Sequence, residues 1–227
     1  MLPFELGEVI YSNPLARERD VDGFIMEGDG TVTFPMGRMR LESLRDPAEG
    51  QKSNVVYWCP VDLPADISIS WDFFPLREPG LAILFFAARG REGQDIFDPG
   101  LPSREGIYGQ YHSGSINALH VSYFRRRWEP ERRFHLCNLR KSHGFHLVCQ
   151  GPDPLPPVPD ARPPYRLSLI KSGPDVYFLI DDLEIFHWTD DGKTYGPILG
   201  GGKIGFRQMA PLIAEYANLE VRAVKRL

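Results

Sequence analysis

The stretch Ile67-Ser68-Ile69-Ser70-Trp71-Asp72-Phe73 alternates apolar and polar side chains without a break. Successive side chains of an extended chain point to opposite faces, so this spacing buries Ile67, Ile69, Trp71 and Phe73 and turns Ser68, Ser70 and Asp72 outward. It reads as a half-buried antiparallel strand, with Trp71 as core. Working outward, similar runs of β-formers occur at Thr31 to Phe34, Met39 to Leu44, Val55 to Cys59, Leu81 to Ala88, Tyr108 to His112, Ile116 to Phe124, Phe134 to Asn138, Phe145 to Gln150 and Tyr165 to Ile170. Val176 to Ile180 and Leu183 to Trp188 flank Asp181-Asp182, which reads as a hairpin turn. Two last strands fall near Lys203 to Gln208 and Leu219 to Val224; residues 210–223, rich in Ala, Leu and Glu, are kept as strand despite that composition. Roughly a dozen short strands predict an all-β, two-sheet antiparallel sandwich, with residues 1–227 as one domain.

Composition agrees. The 22 glycines and 21 prolines of the 227 residues interrupt the chain too often for long helices. The 42% apolar content, including 14 Phe, 9 Tyr and 4 Trp, can close a core without metals or disulfide staples. A net charge of -4 offers no general attraction for nucleic acid. Neither 18 unbroken apolar residues nor a signal peptide is visible, so the expectation is a cytoplasmic protein away from membranes. Cys59, Cys137 and Cys149 include no Cys-x-x-Cys pair and read as buried hydrophobes. Seven of the thirteen residues from Pro152 to Pro164 are proline; the 63 residues beyond hold too few strands for a second sandwich, so the segment reads as a long loop within one domain.

Five of the six histidines, His112, His120, His135, His143 and His146, fall within 35 residues. From Tyr123 to His143 the basic residues Arg125, Arg126, Arg127, Arg132, Arg133, Arg140 and Lys141 face only Glu129 and Glu131, a local balance of +5 in an acidic chain. The natural partner of such a region is an anion such as a carboxylate, sulfate or phosphate. Period-two arithmetic puts Tyr108, Gln110 and His112 on one side of their strand, Asn138 with Arg140 on another, and His120 with Ser122 on a third. If those strands are neighbours, their shared face is a poor core and a good groove. Each of these residues on its own is equally consistent with an ordinary solvated sheet face.

Carboxylates are scarcer. A glycosidase needs two of them about 5 to 9 Å apart, and no strand offers such a ladder. Asp72 is the best placed by alternation, whereas Asp95, Asp98 and Glu105 lie in a Gly- and Pro-rich loop where Asp most often forms turns. No Gly-x-Ser-x-Gly elbow, phosphate loop or His-Glu-x-x-His pattern occurs.

The closing segments Tyr165-Arg166-Leu167-Ser168-Leu169-Ile170, Val176-Tyr177-Phe178-Leu179-Ile180-Asp181-Asp182, Gly202-Lys203-Ile204-Gly205-Phe206-Arg207 and Tyr216-Ala217-Asn218-Leu219-Glu220-Val221 resemble the last strands of concanavalin A-like lectin/glucanase folds, which are jelly-roll sandwiches with a curved groove. The opening Phe24-Ile25-Met26-Glu27-Gly28-Asp29-Gly30 resembles the same superfamily. Trp71-Asp72-Phe73, Phe85-Phe86-Ala87-Ala88, Gln110-Tyr111-His112, Ser122-Tyr123-Phe124-Arg125, Cys137-Asn138-Leu139-Arg140-Lys141-Ser142 and Arg207-Gln208-Met209-Ala210-Pro211 are similar to the YesU-like family of unknown function, over nearly the whole chain. The resemblance implies a carbohydrate-related role in a bacterial cytoplasm, the family being named from a gene in a pectin rhamnogalacturonan utilisation cluster. It supplies no catalytic residues.

From the residues, the leading expectation is an enzyme that acts on acidic, uronate-containing oligosaccharides by β-elimination, which needs a neutralised carboxylate, a base for the C5 proton and an acid for the leaving oxygen. Arg140, Asn138 and Gln110 are candidates to grip the carboxylate, His112 or His120 to act as base, and Tyr123 or Tyr111 to donate the proton; Arg125, His146 and Asp72 complete the binding set. Neighbouring arginines would hold such a histidine neutral. The alternatives are a non-catalytic sugar-binding protein that stacks Trp58, Trp128 or Tyr108 on sugar rings, or a glycoside hydrolase using Asp72 with Asp98 or Glu105. A structural calcium held by Glu27, Asp29 or Asp181 is a further expectation.

Overall fold

A computed structural model describes residues 3–227. Along them run β1 (Phe4–Asn13), β2 (Ile25–Glu27), β3 (Gly30–Thr33), β4 (Met39–Ser43), β5 (Val55–Trp58), β6 (Ile67–Arg77), β7 (Leu81–Gly90), β8 (Ile116–Tyr123), β9 (Leu136–Ser142), β10 (His146–Pro152), β11 (Tyr165–Ser172), β12 (Asp175–Ile180), β13 (Leu183–Thr189), β14 (Lys203–Met209) and β15 (Ile213–Arg226). The first sheet is ordered β13-β12-β11-β6-β15-β4-β3, with β1 also on β15; the second is β10-β9-β8-β7-β14-β5-β2. All named pairings are antiparallel.

Residues 67–73 lie in β6. Ile67, Ile69, Trp71 and Phe73 are all in the core between the sheets, where they meet Leu84 and Phe86 of β7, Val121 and Tyr123 of β8 and Phe206 of β14. Each such buried aromatic or aliphatic side chain contributes roughly 1.5–3 kcal/mol. The buried Trp71 Nε1 donates to Tyr123 Oη at 3.2 Å, so the indole keeps a partner in the dry core. The hairpin between β12 and β13 turns through Asp181 and Asp182 at φ 48° and 66°, the left-handed pair that a two-residue hairpin needs.

The proline-rich segment is a loop, not a linker: β11 after it pairs with β6 before it, and β14 lies between β5 and β7. It packs Leu155 and Val158 on the core. Residues 213–226 are strand. The three cysteines are free, with Cys59 and Cys137 buried and Cys149 half-buried. None of the helices among the described residues is long and apolar enough to cross a membrane.

One expected strand is not there. Tyr108 to His112 forms a single helical turn, α1 (Gly109–His112), inside the loop that joins β7 to β8. Five residues of loose alternation cannot separate one helical turn from a short strand. The difference matters, because this loop folds over the second sheet.

Candidate functional site

Pairing registers lay out the outer face of the second sheet in two rows. Trp58, Gly205, Phe85, His120 and Arg140 stand opposite one another in turn across β5, β14, β7, β8 and β9. The adjacent row is Val56, Arg207, Ile83, Ser122 and Asn138. Gly205 is required where it stands, since a Cβ there would lie 2.5 Å from the Trp58 ring. The 91–115 loop covers one half of this face, setting Ile96, Phe97, Leu101, Tyr108 and Tyr111 on Trp58, Phe85 and Met209.

An ion pair ties the loop down. Arg104 grips Glu27 of β2 with Nη2 to Oε1 at 2.7 Å and Nε to Oε2 at 3.2 Å, and Trp58 Nε1 donates to the same carboxylate at 2.9 Å. Glu27 and Arg104 are both buried.

The uncovered half is a cavity of ≈ 180 Å³ whose walls include Gln51, Tyr108, Arg125, Trp128, Asn138, Arg140 and Phe145. At its base Tyr108 Oη lies 2.6 Å from Nε2 of the fully buried His120. Burial pushes the Tyr108 phenol up to about 12, so it keeps its proton at neutral pH and donates to the imidazole. Burial, then Arg140 and Arg207, holds His120 well below the ordinary histidine range, and it is therefore neutral. Its Nδ1 has no hydrogen-bond partner.

Two guanidiniums flank this pair. Arg140 lies 3.7 Å over the Phe145 ring and donates Nη1 to the Phe145 carbonyl at 3.0 Å. Arg207 is completely buried, 4.8 Å over the Tyr108 ring, with Nη2 on Gln51 Oε1 at 3.2 Å and both Nε and Nη1 without partners. Among the described residues neither has a carboxylate partner. Uncompensated buried charge is costly to a fold, and it marks a place where a ligand can supply the counter-charge.

Much of the basic cluster is otherwise employed. Arg126 makes a buried pair with Asp153 and Lys141 with Asp190, Arg125 is held by Glu131, and Arg133 pairs with Glu129. Asp153 and Asp190 bring the +5 counted along the sequence down to +3, and since Arg125 and Glu131 neutralise each other in the cavity wall, the unpaired charge beside the cavity belongs to Arg140 and to the unforeseen Arg207, buried behind Tyr108. Alternation had a signal for the face of Arg207, because Ile204 and Phe206 of β14 turn into the core and so place Lys203, Gly205, Arg207 and Met209 on the outer side.

Other expectations separate. His120, Ser122, Asn138 and Arg140 do share one face. The Asn138 amide sits 2.8 Å from Gln150 Nε2 and, with its oxygen turned to the cavity, 3.2 Å from Arg125 Nη1. Tyr123 points into the core between the sheets and cannot donate to anything in the cavity. Tyr111 is wedged between Trp58 and Phe85, its hydroxyl accepting from Gly106 N at 2.9 Å. Gln110 accepts from Glu105 N and lines a separate cavity. His112 is behind the cavity wall, its ring tilted against Phe145 at 4.6 Å and bonded to Ser113. His146 stacks on Tyr195 away from the cavity walls. Trp58 is buried, whereas Trp128 is 52% exposed and available as a platform.

Asp72 lies on the first sheet, held by Arg166 and Asn218. Asp98 is a turn former accepting from Gly100 N, and Glu105 is exposed in the loop, so no pair from these three carboxylates converges. The expected calcium ligands do not fit a cation either. Glu27 is consumed by Arg104 and Trp58, Asp29 meets Arg45, and Asp181 belongs to a hairpin of the other sheet. Among the described residues no group of three or more His, Cys, Asp or Glu could hold a metal ion.

The neutral state of His120 makes stability pH-dependent. Its folded pKa is depressed, so below the unfolded value of about 6.5 the unfolded chain binds the extra proton, costing up to about 1.4 kcal/mol per pH unit until the folded group titrates. The urea midpoints of the protein and of His120→Gln should therefore keep a constant separation above about pH 6.5, with the unmodified protein losing stability relative to the variant as pH falls below it; curves that stay parallel below about 6.5 would refute a neutral buried His120.

Fold and cavity together define a concanavalin A-like β-sandwich with a basic, aromatic-walled pocket on one outer face. The chain belongs to the DUF1961 family, a domain of unknown function, whose model matches residues 8–221. It is 50% identical over 224 residues to the uncharacterized protein YesU of Bacillus subtilis (strain 168), covering 98% of this chain and 100% of that one. A crystal structure of a protein of unknown function with galectin-like fold from Bacillus subtilis superposes with a TM-score of 0.95 at 49% identity, over 99% of this chain and 100% of the other. The carbohydrate binding module CBM66 from Bacillus subtilis shares the fold at 11% identity, with a TM-score of 0.54 over 88% of this chain and 96% of the module.

Proposed function

We propose that the pocket binds a uronate unit of a pectin-type oligosaccharide and promotes β-elimination. The observation that carries this reading is the 2.6 Å Tyr108–His120 pair set between two guanidiniums that lack carboxylate partners. A sugar-binding role also agrees with the fold shared with a carbohydrate binding module.

In this reading Arg140, with Asn138 and Arg125 beside it, takes the substrate carboxylate. Its negative charge lowers the cost of placing a proton on His120. As the C5–H bond breaks, Tyr108 Oη takes that proton and passes its own to His120 Nε2. The electron pair forms the C4=C5 double bond and the C4–O4 bond breaks. The same relay runs back to protonate the leaving O4, so no proton is gained or lost.

Incubation with uronate oligosaccharides should generate the ultraviolet absorbance of an unsaturated uronate. Arg140→Ala, still folded by circular dichroism, should lower the rate by roughly 10²–10³-fold, the range for losing one preorganised donor to a developing anion. Bound but unaltered glycan would favour a second reading, supported by the exposed Trp128 and Phe145: a non-catalytic sugar-binding pocket. Cleavage without absorbance would mean hydrolysis and refute elimination.

A further inference from the structure

The β9–β10 hairpin reaches across the second sheet and joins the loop that covers its other half. Gly144 N donates to the His112 carbonyl at 2.5 Å, and His143 Nε2 lies 3.1 Å from the Ser113 carbonyl. Beneath these links the Phe145 ring packs on His112 at 4.6 Å and edge-on to Tyr108 at 5.4 Å. The two segments arise from opposite sides of β8, so their junction spans the sheet face like a strap. Gly144, at φ 101°, provides the left-handed turn at the hairpin tip.

A groove that crosses a sheet must be open at both ends for a polymer to lie along it. This one is walled at the strap by Tyr108 and Phe145, with His112 packed against both rings, and its cavity of ≈ 180 Å³ is smaller than the roughly 300–1,000 Å³ that a drug-sized ligand fills. The space suits one sugar ring. Trp128, 52% exposed at the wall, is placed to stack a second unit. The restriction at this end comes from the strap.

We propose that the strap makes this site a one-ended pocket that recognises the terminus of short acidic oligosaccharides rather than the interior of a polysaccharide. This rests on the uronate reading above and adds the length and end of the ligand. Contacts then cease after about two units, because further units project into solvent from the mouth.

The test is binding of oligogalacturonides from disaccharide to octasaccharide, read by titration calorimetry, each also prepared with its reducing end converted to an alditol or its non-reducing end unsaturated. Affinity should level off by the trisaccharide, later members agreeing within about threefold, well under one 1.4 kcal/mol decade. One of the two end modifications should weaken binding at least about tenfold. Phe145→Ala, which opens the strap, should make affinity rise with length. Affinity that climbs with every added unit in the unmodified protein, or that ignores both end modifications, would overturn the one-ended pocket and leave uronate binding standing. No binding of any uronate oligosaccharide would remove the uronate reading itself.

Discussion

Glu27→Ala is expected to destabilise the protein by roughly 3–5 kcal/mol, the usual consequence of stranding one member of a buried ion pair. Three donors from two segments converge on this carboxylate: Arg104 Nε and Nη2 from the loop and Trp58 Nε1 from β5. Alanine leaves the guanidinium with the Ile96 carbonyl at 2.8 Å as its acceptor and the indole N–H with none. Glu27→Gln should cost less, since one amide oxygen still accepts from Trp58. The double replacement Glu27→Leu with Arg104→Met should recover most of the loss, because an apolar pair of similar volume strands no charge. Urea unfolding with an unchanged slope would report the differences, and the cycle would give the coupling. A single-variant loss under about 1 kcal/mol would mean that the loop is not anchored as described. The effect reaches function, because this anchor holds the loop that delivers Tyr108 to His120.

What the sequence disclosed follows from what is periodic. Alternation along 67–73 assigns the residues of that stretch to their proper faces, and the same rule unites His120 with Ser122 and Asn138 with Arg140 on the face that carries the pocket. Position along a strand survives because a pleat has only two sides. Tyr123 fails by the same rule, since it is one residue from Ser122 and so faces the core. Tyr108 is the instructive case: its sequence neighbours read as a strand and its ring as a stacking platform, yet it belongs to a loop whose path over the sheet has no local signature. The partners of Arg126 and Lys141, Asp153 and Asp190, lie 27 and 49 residues further on. Local charge counting therefore overstates the anion site, and only tertiary pairing shows which cations remain free. In the sequence Arg207 stands out only within the Arg207-Gln208-Met209-Ala210-Pro211 motif, because one arginine in a strand ordinarily faces solvent.

Tyr108→Phe should abolish most turnover of a uronate oligosaccharide, lowering kcat by roughly 10²–10⁴-fold, the contribution typical of a positioned proton-transfer group. The substitution keeps the ring under which Arg207 lies, the contact with Phe145 and the packing of the loop, and removes only the oxygen 2.6 Å from His120. Stability should change by about 1 kcal/mol, one hydrogen bond's worth. Since the hydroxyl acts on the reacting atoms and little on ground-state binding, kcat and kcat/KM should fall together with KM nearly unchanged. The pH profile adds a constraint of its own. His120 must be neutral to accept the phenolic proton, and burial followed by Arg140 and Arg207 lowers its pKa. Activity in the unmodified protein should thus persist below pH 6.5 and fall only as this depressed group protonates. Tyr108 keeps its proton until about 12, so no alkaline limb from it should appear at moderately high pH. Full activity in Tyr108→Phe, or an acid limb centred above 6.5, would exclude the Tyr108–His120 relay. Retained glycan affinity in a variant without turnover would show that the phenol supplies the chemistry and not the affinity.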